Sequence, residues 1–500
     1  MARTSSLRWS AIAFVVFGAL VASMLLATRF VTSDGPSDLA RGGPGQGQDA
    51  DANPEAEEQG EEVEERSEAF EQAVEQGKAG KLTAPVVNAP AAGWAGEQLV
   101  DTAADDWEPA IAADPSAPYV YILTTRYGST KPCPGNCPTP YIAIERSTDG
   151  GATWTDGVPL CACKGSGQFD PIIEVAKATG AVYAVYMNGY NIMFTKSTNH
   201  GVTWSAPVGV YGKVSWNDKP ILATSDSGKD LFITFNGPTG GDAYVSQSHD
   251  FGATWAVTKL TNNDRYYFAF DADVAPDGTV YLGESAILYG GGGNKGTIPS
   301  GTIDEHVFVS TNNGASFTDR VVAQVQPGIA CVADGCTPDY YLGHHALAAD
   351  AAGKVVLLYD GAATSGGLQT IAAKRSSDKG ATWSAAVTLS VVGEQSVDPT
   401  IEAGASGDFR AWYMQTSGGG NVDQWNVYYR ASTDGGATWS AAVKISDATS
   451  GAPYVTAAGF QEVYGDYGEM AITSAGKTIA VWGEGASYTG PGGVWFNRQP

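Results

Sequence analysis

The chain has 500 residues, a formal net charge of −25, 63 glycines and only 17% charged residues. This composition is unlike that of a helical bundle or a coiled coil, and it is typical of a large, turn-rich β protein. The strong negative charge argues against nucleic acids and anionic membrane surfaces as binding partners.

The N-terminal residues 1–30 differ in character from everything that follows. Residues 9–28 carry no charge and follow Arg3 and Arg8, so this stretch is long enough to cross a bilayer as a helix. The sequence therefore predicts a signal anchor, a single membrane pass and an extracytoplasmic body. The alternative is a cleaved signal peptide, which would leave a secreted protein.

Residues 31–81 form a polar, acidic stretch with few apolar side chains to bury. Such a composition predicts a disordered, solvated linker that separates the N-terminal segment from the body of the protein. A short helix near 69–74 is compatible with the pattern. The alternative is that the acidic residues bind a partner.

An eight-residue segment, STDGGATW, occurs at 147–154 and again at 432–439, and four variants lie between them. A short side-chain acceptor at the third position can bind its own backbone, and the fifth position is glycine in all six copies. Asparagine replaces aspartate twice at the third position, which indicates a folding role because an amide cannot perform acid–base chemistry. The third-position residues are Asp149, Asn199, Asp250, Asn312, Asp378 and Asp434.

A second repeat, an apolar strand followed by a turn and another strand, occurs seven times between residues 108 and 484. The seventh copy is not followed by the eight-residue segment, and residues 93–102 resemble the strands that follow that segment elsewhere. We therefore predict an all-β, seven-bladed propeller over 82–500, with the N-terminal strand closing the last blade. Six blades with an extra hairpin is the alternative.

All six cysteines lie in three short pairs, which in an exported chain predicts disulfides. The first four allow three pairings that the sequence does not separate, and a four-thiolate metal site is the alternative for them. The pairs are Cys133 and Cys137, Cys161 and Cys163, and Cys331 and Cys336.

The pattern Ser-x-Asp-x-Gly-x-x-Trp resembles the Asp-box, or BNR repeat, of the sialidase-like β-propellers. The resemblance implies a turn between the third and fourth strands of each blade and a glycan-recognising protein, with glycoside hydrolysis as the activity that the family offers. The first blade contains no Arg-x-Pro motif, and the three-arginine clamp of sialidases has no counterpart here, so no catalytic residue is carried over. A non-catalytic propeller that binds a cell-surface protein or assists assembly stays open as the alternative.

The predicted site lies where the inner strands begin, because loops on that face are long and acidic side chains converge there. Grouped carboxylates can act as an acid–base pair or bind a cation such as Ca²⁺, although an Asp before proline also favours a simple turn. Two histidines there could instead hold a metal. The acid–base candidates are Glu108, Asp170, Asp271 and Asp398. The substrate-binding candidates are Lys219, His344, His345, Trp216, Arg126, Arg265, Tyr467 and Asp466.

Overall fold

The computed structural model describes residues 67–68, 70–77, 90–131, 133–237, 241–263, 265–288, 301–329, 343–417, 425–446, 455–456, 459–460, 468–485 and 492–500. The predicted signal anchor, most of the linker, Cys331, Cys336, Asp466 and Tyr467 lie outside these residues. Among the residues described, none of the helices is both long and apolar enough to cross a membrane.

The described chain is built from seven antiparallel four-stranded sheets, which are the blades of the propeller. Ahead of blade 1 lies β1 (Gln98–Leu99). Blade 1 contains β2 (Ala104–Ala113), β3 (Val120–Ser129), β4 (Tyr141–Ser147) and β5 (Val158–Pro159). Blade 2 contains β6 (Gln168–Val175), β7 (Val182–Asn188), β8 (Ile192–Ser197) and β9 (Val208–Gly209). Blade 3 contains β10 (Asp218–Thr224), β11 (Leu231–Asn236), β12 (Ala243–Ser248) and β13 (Ala256–Lys259).

The second half of the ring repeats the same order. Blade 4 contains β14 (Tyr266–Val274), β15 (Val280–Ile287), β16 (Ile303–Ser310) and β17 (Thr318–Val325). Blade 5 contains β18 (His345–Ala349), β19 (Val355–Tyr359), β20 (Ala372–Ser376) and β21 (Val387–Thr388). Blade 6 contains β22 (Ser396–Ala403), β23 (Phe409–Gln415), β24 (Asn426–Ser432) and β25 (Val443–Lys444). A small hairpin, β26 (Val455–Thr456) and β27 (Gly459–Phe460), precedes β28 (Glu469–Ile472), β29 (Thr478–Gly485) and β30 (Gly492–Arg498).

The seventh blade combines both ends of the propeller. Gln98 and Leu99 of β1 pair antiparallel with Phe496 and Trp495 of β30, so the sheet order is β1-β30-β29-β28. The first strand of each of the other blades is innermost, and β28 lies between the inner strands of blades 6 and 1. The prediction of seven blades is thereby confirmed.

The core lies between adjacent blades because the strands are buried on both faces. Trp412 of blade 6, for example, is fully buried and packs edge-on against Trp482 of blade 7, with ring centroids 6.4 Å apart. Trp107 and Trp425 also belong to this interblade core. Burying such large rings is a principal source of stability.

The six eight-residue segments form six turns, and each turn has the same local pattern of hydrogen bonds. In blade 6, Asp434 Oδ1 accepts from Ser432 Oγ at 2.8 Å and from the Thr438 N–H at 2.9 Å. Where asparagine stands at this position, as at Asn199, the side-chain oxygen still accepts from the backbone and the amide donates to Thr203 Oγ1 at 2.9 Å. The network therefore needs an acceptor and not a charge.

The glycine at the fifth position of each turn also touches the preceding blade. Gly436 has φ +77°, and a Cβ there would lie 2.7 Å from Val356 Cγ2 of blade 5. Only glycine combines this left-handed backbone with such a close approach. The turn is therefore both a local fold element and an interblade contact.

Part of the predicted linker is ordered. Residues 70–75 are helical, and Phe70 and Ala73 are buried. A Cβ added at Gly128, near the end of β3, would lie 2.3 Å from the Phe70 ring, so the ring packs directly on the blade 1 backbone. This helix lies where the sequence allowed a short one near 69–74, and its Phe70 ring contacts blade 1.

Candidate functional site at the channel mouth

The inner strands surround a central channel of about 370 Å³. In four blades the strand begins with a bulge, where a non-glycine residue before proline adopts a left-handed backbone. Such a conformation costs on the order of 1–3 kcal/mol per residue and is concentrated at functional sites. The four residues are Glu108 (φ 51°), Asp170 (φ 48°), Lys219 (φ 49°) and Asp398 (φ 51°).

Blade 4 departs from this pattern. Its register shift lies between Ala269 and Asp271, so Phe270 takes the bulge position. The Asp271 carboxylate instead accepts hydrogen bonds from the Leu347 N–H of blade 5 and from the Ala272 N–H, each at 2.8 Å. Asp271 therefore ties blade 4 to blade 5 and does not occupy the position that the sequence alignment predicts.

The most concentrated charge at the channel mouth is formed by His344, Asp360 and Asp398. His344 Nδ1 lies 3.2 Å from Asp360 Oδ2 and 3.3 Å from Asp398 Oδ1, and all three residues are buried. Asp360 also accepts from the Asp398 N–H at 3.1 Å, so it holds the strained backbone as well as the imidazole. The structure thus joins blades 5 and 6 through two residues that the sequence singled out and one that it did not.

These groups perturb one another's ionisation. Burial raises the pKa of Asp398 to about 6, although the charges of His344 and Lys219 act in the opposite direction. Burial favours neutral His344, but Asp398 and Asp360 outweigh it and raise its pKa to about 9. At neutral pH an imidazolium therefore lies between two carboxyl groups, and Asp398 changes its protonation in weak acid.

Across blades 1 and 2, a second pair of bulge residues is in contact. Glu108 Oε2 accepts from Thr125 Oγ1 at 2.5 Å and from the Asp170 N–H at 3.1 Å. The Glu108 carboxylate therefore supports the backbone that presents Asp170. The sequence predicts both residues at the mouth, and the structure brings them together there.

Aromatic rings border the mouth at blades 2 to 4. Trp216 stacks on Tyr190 with ring centroids 5.2 Å apart and 25° between the planes. Phe270 lines the channel and meets the His344 ring edge-on at 4.8 Å. Half-buried flat rings beside hydrogen-bonding groups suit the apolar face of a sugar ring.

Two predicted arginine contacts lie elsewhere. Arg126 is buried inside blade 1, where it meets Asp106 at 2.7 Å and Glu145 at 2.9 Å. Arg265 bonds to Asp304 at 2.9 Å and to two backbone carbonyls. Both guanidinium groups are thus used in structural ion pairs, which corrects their predicted role at the loop-rich face.

The His345 ring does not have the ligand-binding position predicted for it, because its Nδ1 faces side chains of blade 4. Its Nδ1 lies 2.8 Å from Glu305 Oε2 and 3.1 Å from Ser285 Oγ, between blades 4 and 5. Burial lowers the pKa of His345 to about 3, so the ring is neutral at ordinary pH. Of the two adjacent histidines, His344 is therefore positively charged and His345 neutral, and they have different partners.

Two disulfides lie in neighbouring loops near blade 1. Cys133 pairs with Cys137 and Cys161 pairs with Cys163, so each bridge closes a short loop of its own. A Cβ at Gly135 would lie 2.8 Å from the Ala162 Cβ, which shows that the two bridged loops touch. A four-thiolate metal site is excluded by these pairings.

A second group of carboxylates lies deeper in the channel, and the sequence pointed only to Asp273 among them. Glu174, Asp273, Glu402 and Glu469 line it, together with Lys177. Burial raises the pKa of Glu402 to about 7 and that of Glu469 to about 8. A usable signal was present: Glu174 and Glu402 each stand four residues after a bulge acid.

The donor atoms of the histidine cluster can be compared with the ligands that a metal ion requires. One donor atom from each of His344, Asp360 and Asp398 lies within 4.8 Å of the others. Ca²⁺ prefers six to eight oxygen ligands, whereas this set offers two carboxylates and an imidazole whose charged form is favoured. The cluster does not fit the calcium ion considered from sequence, and we derive no step through a metal.

Comparison with known proteins yields likeness in structure only. No family model matches the chain, and no curated protein sequence matches it. An ulvan lyase, a polysaccharide lyase, shares 12% identity and a TM-score of 0.48, covering 79% of this chain and 94% of its own. The intramolecular trans-sialidase from Ruminococcus gnavus shares 14% identity and a TM-score of 0.40, with the same coverage. A protein of unknown function from Dyadobacter fermentans shares 12% identity and a TM-score of 0.43, covering 81% of this chain and 99% of its own.

Proposed function

We propose that the channel mouth binds a saccharide and that Asp398 acts as a general acid and base in cleaving a glycosidic bond. The observation that carries the proposal is the buried His344, Asp360 and Asp398 cluster on a strained backbone at the end of an open channel. As residues 9–28 predict, this propeller would work outside the cytoplasm, held at the membrane or secreted.

The proton chemistry follows from the contacts of Asp398. Its buried Oδ1 lies 3.3 Å from His344 Nδ1 without the geometry of a hydrogen bond, and its pKa of about 6 is close to that of an effective proton donor in weak acid. Protonated Asp398 would donate to the leaving-group oxygen and later recover the proton from water.

Asp360 and His344 would act through Asp398. Asp360 accepts from the His344 N–H, the Asp398 N–H and the Gln369 amide, so its oxygens are occupied and it serves as a positioning residue. The imidazolium of His344 lowers the pKa of Asp398 and prevents burial from raising it further. Asp170, supported by Glu108, is the proposed second carboxyl group: it would bond to the anomeric carbon as the bond to the leaving-group oxygen breaks, and water deprotonated by Asp398 would then displace it.

Aromatic contacts support a sugar as the ligand. The Trp216 and Tyr190 stack and the Phe270 ring offer flat apolar surfaces beside Lys219 and the cluster. A pyranose ring can pack on such a surface while its hydroxyls bond to charged groups.

The test is turnover of a panel of chromogenic glycosides, sialosides included, by the purified full-length protein. We expect Asp398→Asn to lower kcat by about 100-fold or more, the range for loss of a general acid. The matched control is Asp378→Asn, the same substitution in a turn where asparagine occurs naturally in two other copies. Turnover by Asp398→Asn equal to that of the control would disprove the acid–base role.

Non-catalytic recognition is a second candidate, favoured by one observation. Among the described residues that line the channel there is no arginine, and Arg126 and Arg265 are engaged elsewhere. A propeller that only binds a glycan or a cell-surface protein would need no acid–base pair. Retention on a glycan array without turnover of any glycoside would support this candidate over the hydrolase.

A further inference from the structure

The channel below the mouth is lined by many more acidic than basic side chains. The described acidic residues that line it are Glu174, Asp226, Asp271, Asp273, Asp398, Glu402 and Glu469. The described basic lining residues are Lys177 and His344, with neutral His345 beside them. An incoming ligand therefore meets a surface with an excess of carboxyl groups.

The carboxyl groups already oppose one another's ionisation. The pKa of Glu174 is raised well above its usual value, first by burial and then by Glu402, Glu469 and Asp273. Another negative charge in this space would increase the repulsion, whereas a positive charge would relieve it. The channel should therefore discriminate between ligands of opposite charge.

The chain itself shows which charge this space accommodates. The Lys177 ammonium has its pKa raised because Asp273, Glu402 and other channel acids stabilise it against the opposing effect of burial. A carboxylate ligand, in contrast, would normally need a guanidinium fork, and the described lining contains no arginine. The positive charge of His344 is already matched by Asp360 and Asp398.

Asp398 adds a separate observation at the top of the same space. It is only 6% exposed and lines the channel, and its Oδ1 lies 3.3 Å from His344 Nδ1 but accepts no hydrogen bond from the described residues. A buried carboxyl oxygen of this kind leaves an acceptor for a donor on the ligand.

We propose that the mouth takes a saccharide that carries a free amine, and not one that carries a carboxylate, with the ammonium directed toward Glu174 and Glu402. This inference rests on the proposed saccharide site and narrows its substrate class to amino sugars. The ring would remain at the mouth near Phe270 and Asp398, and the ammonium would extend into the acidic channel.

The experiment compares three probes on the full-length protein by titration calorimetry: glucosamine, N-acetylglucosamine and glucuronate. The first two differ at the nitrogen, where acetylation removes the charge. We expect glucosamine to bind about tenfold more tightly than glucuronate, a difference that added salt reduces. Binding of glucosamine should also release protons, detected as a dependence of the heat on the buffer's ionisation enthalpy.

The double variant Glu174→Gln/Glu402→Gln identifies the source of the preference. It should weaken glucosamine binding about tenfold and leave N-acetylglucosamine binding unchanged, while Asp378→Asn on the opposite face should alter neither. Equal or tighter binding of glucuronate, an unchanged preference in the double variant, or no binding of glucosamine would each overturn the inference.

The outcomes also separate this inference from the proposed hydrolysis. Loss of turnover in Asp398→Asn without any preference for the amine would leave the acid–base role in place and disprove the amino-sugar specificity. A preference for glucosamine without turnover of any glycoside would leave the specificity in place and disprove hydrolysis.

Discussion

The two faces of the propeller use the same acidic side chains in opposite ways. At the turns, Asp250 and Asp378 have their pKa lowered to about 2, chiefly by the hydroxyls of Thr254 and Thr382. In the channel, burial raises the pKa of Glu402 to about 7. The turn carboxylates are surrounded by N–H and O–H donors, whereas within the described part of the chain the Glu402 carboxylate accepts from one backbone N–H, that of Ala403. The supply of donors and water, and not the residue type, decides which acids titrate near neutral pH.

The largest effect on stability is expected at the turns, where a glycine has a left-handed backbone and leaves no room for a side chain. Gly435 and Gly436 both have φ +77°, but a Cβ at Gly436 meets buried Val356 at 2.7 Å while one at Gly435 meets the flexible Lys354 at 3.1 Å. Gly436→Ala should therefore lower the unfolding free energy by about 3 kcal/mol, and Gly435→Ala by about 1 kcal/mol. Thermal unfolding of both variants measures this, and equal losses would show that the interblade contact contributes nothing.

A smaller effect of opposite sign is expected in the channel. The folded pKa of Glu402 is raised above its unfolded value of 4.5, so the stability linked to its protonated form is present below pH 4.5 and is lost as pH rises through about 7. Glu402→Gln should remove that loss and stabilise the protein at pH 8 by on the order of 1 kcal/mol, with little change at pH 4. Melting temperatures across this range test the prediction, and a destabilised variant at pH 8 would contradict it.

The smallest effect at neutral pH is expected for Asp378→Asn, because asparagine already serves at Asn199 and Asn312. The folded pKa of Asp378 is lowered, so the stability from its ionised form is present above pH 3.8 and is lost as pH falls toward about 2. The variant should therefore match the wild type at pH 7 and lose less stability below pH 3. A difference in stability between the variant and the wild type that appears only at pH 8 would contradict this prediction, because it is the pH dependence expected for Glu402 in the channel.

Much of the fold was predictable because a blade is a local unit. Each turn needs only its own serine, acceptor and glycine, and the strands beside it alternate within a few residues, so seven blades follow from counting repeats. The disulfides were equally local, yet the sequence left their pairing open because three pairings of four cysteines are all compatible with the spacing. The helix at 70–75 was expected only as a possibility, since its burial depends on the blade 1 surface that Phe70 contacts.

The site was predicted less completely. Part of the reason is that successive side chains of a strand point to opposite faces of the sheet, so a place near the strand end does not fix where a side chain lies. Arg126 lies in β3 with its side chain inside blade 1, where Asp106 and Glu145 neutralise it, although its place near the strand end suggested the mouth. Asp360 was missed because its importance comes from contacts with His344 and Asp398, one of them in the next blade. Asp271 is not at the bulge position because blade 4 leaves only Phe270 unpaired there, whereas four other blades leave a residue and the proline after it unpaired.

By itself, the sequence determined the turns, the repeating blade and the face on which charged residues gather, because these depend on interactions between near neighbours in the chain. Only the tertiary structure decided which acids are buried, which histidine is charged, and where Lys177 places its ammonium. Ionisation depends on the loss of water and on charges brought in from other blades, and both arise only when the ring closes.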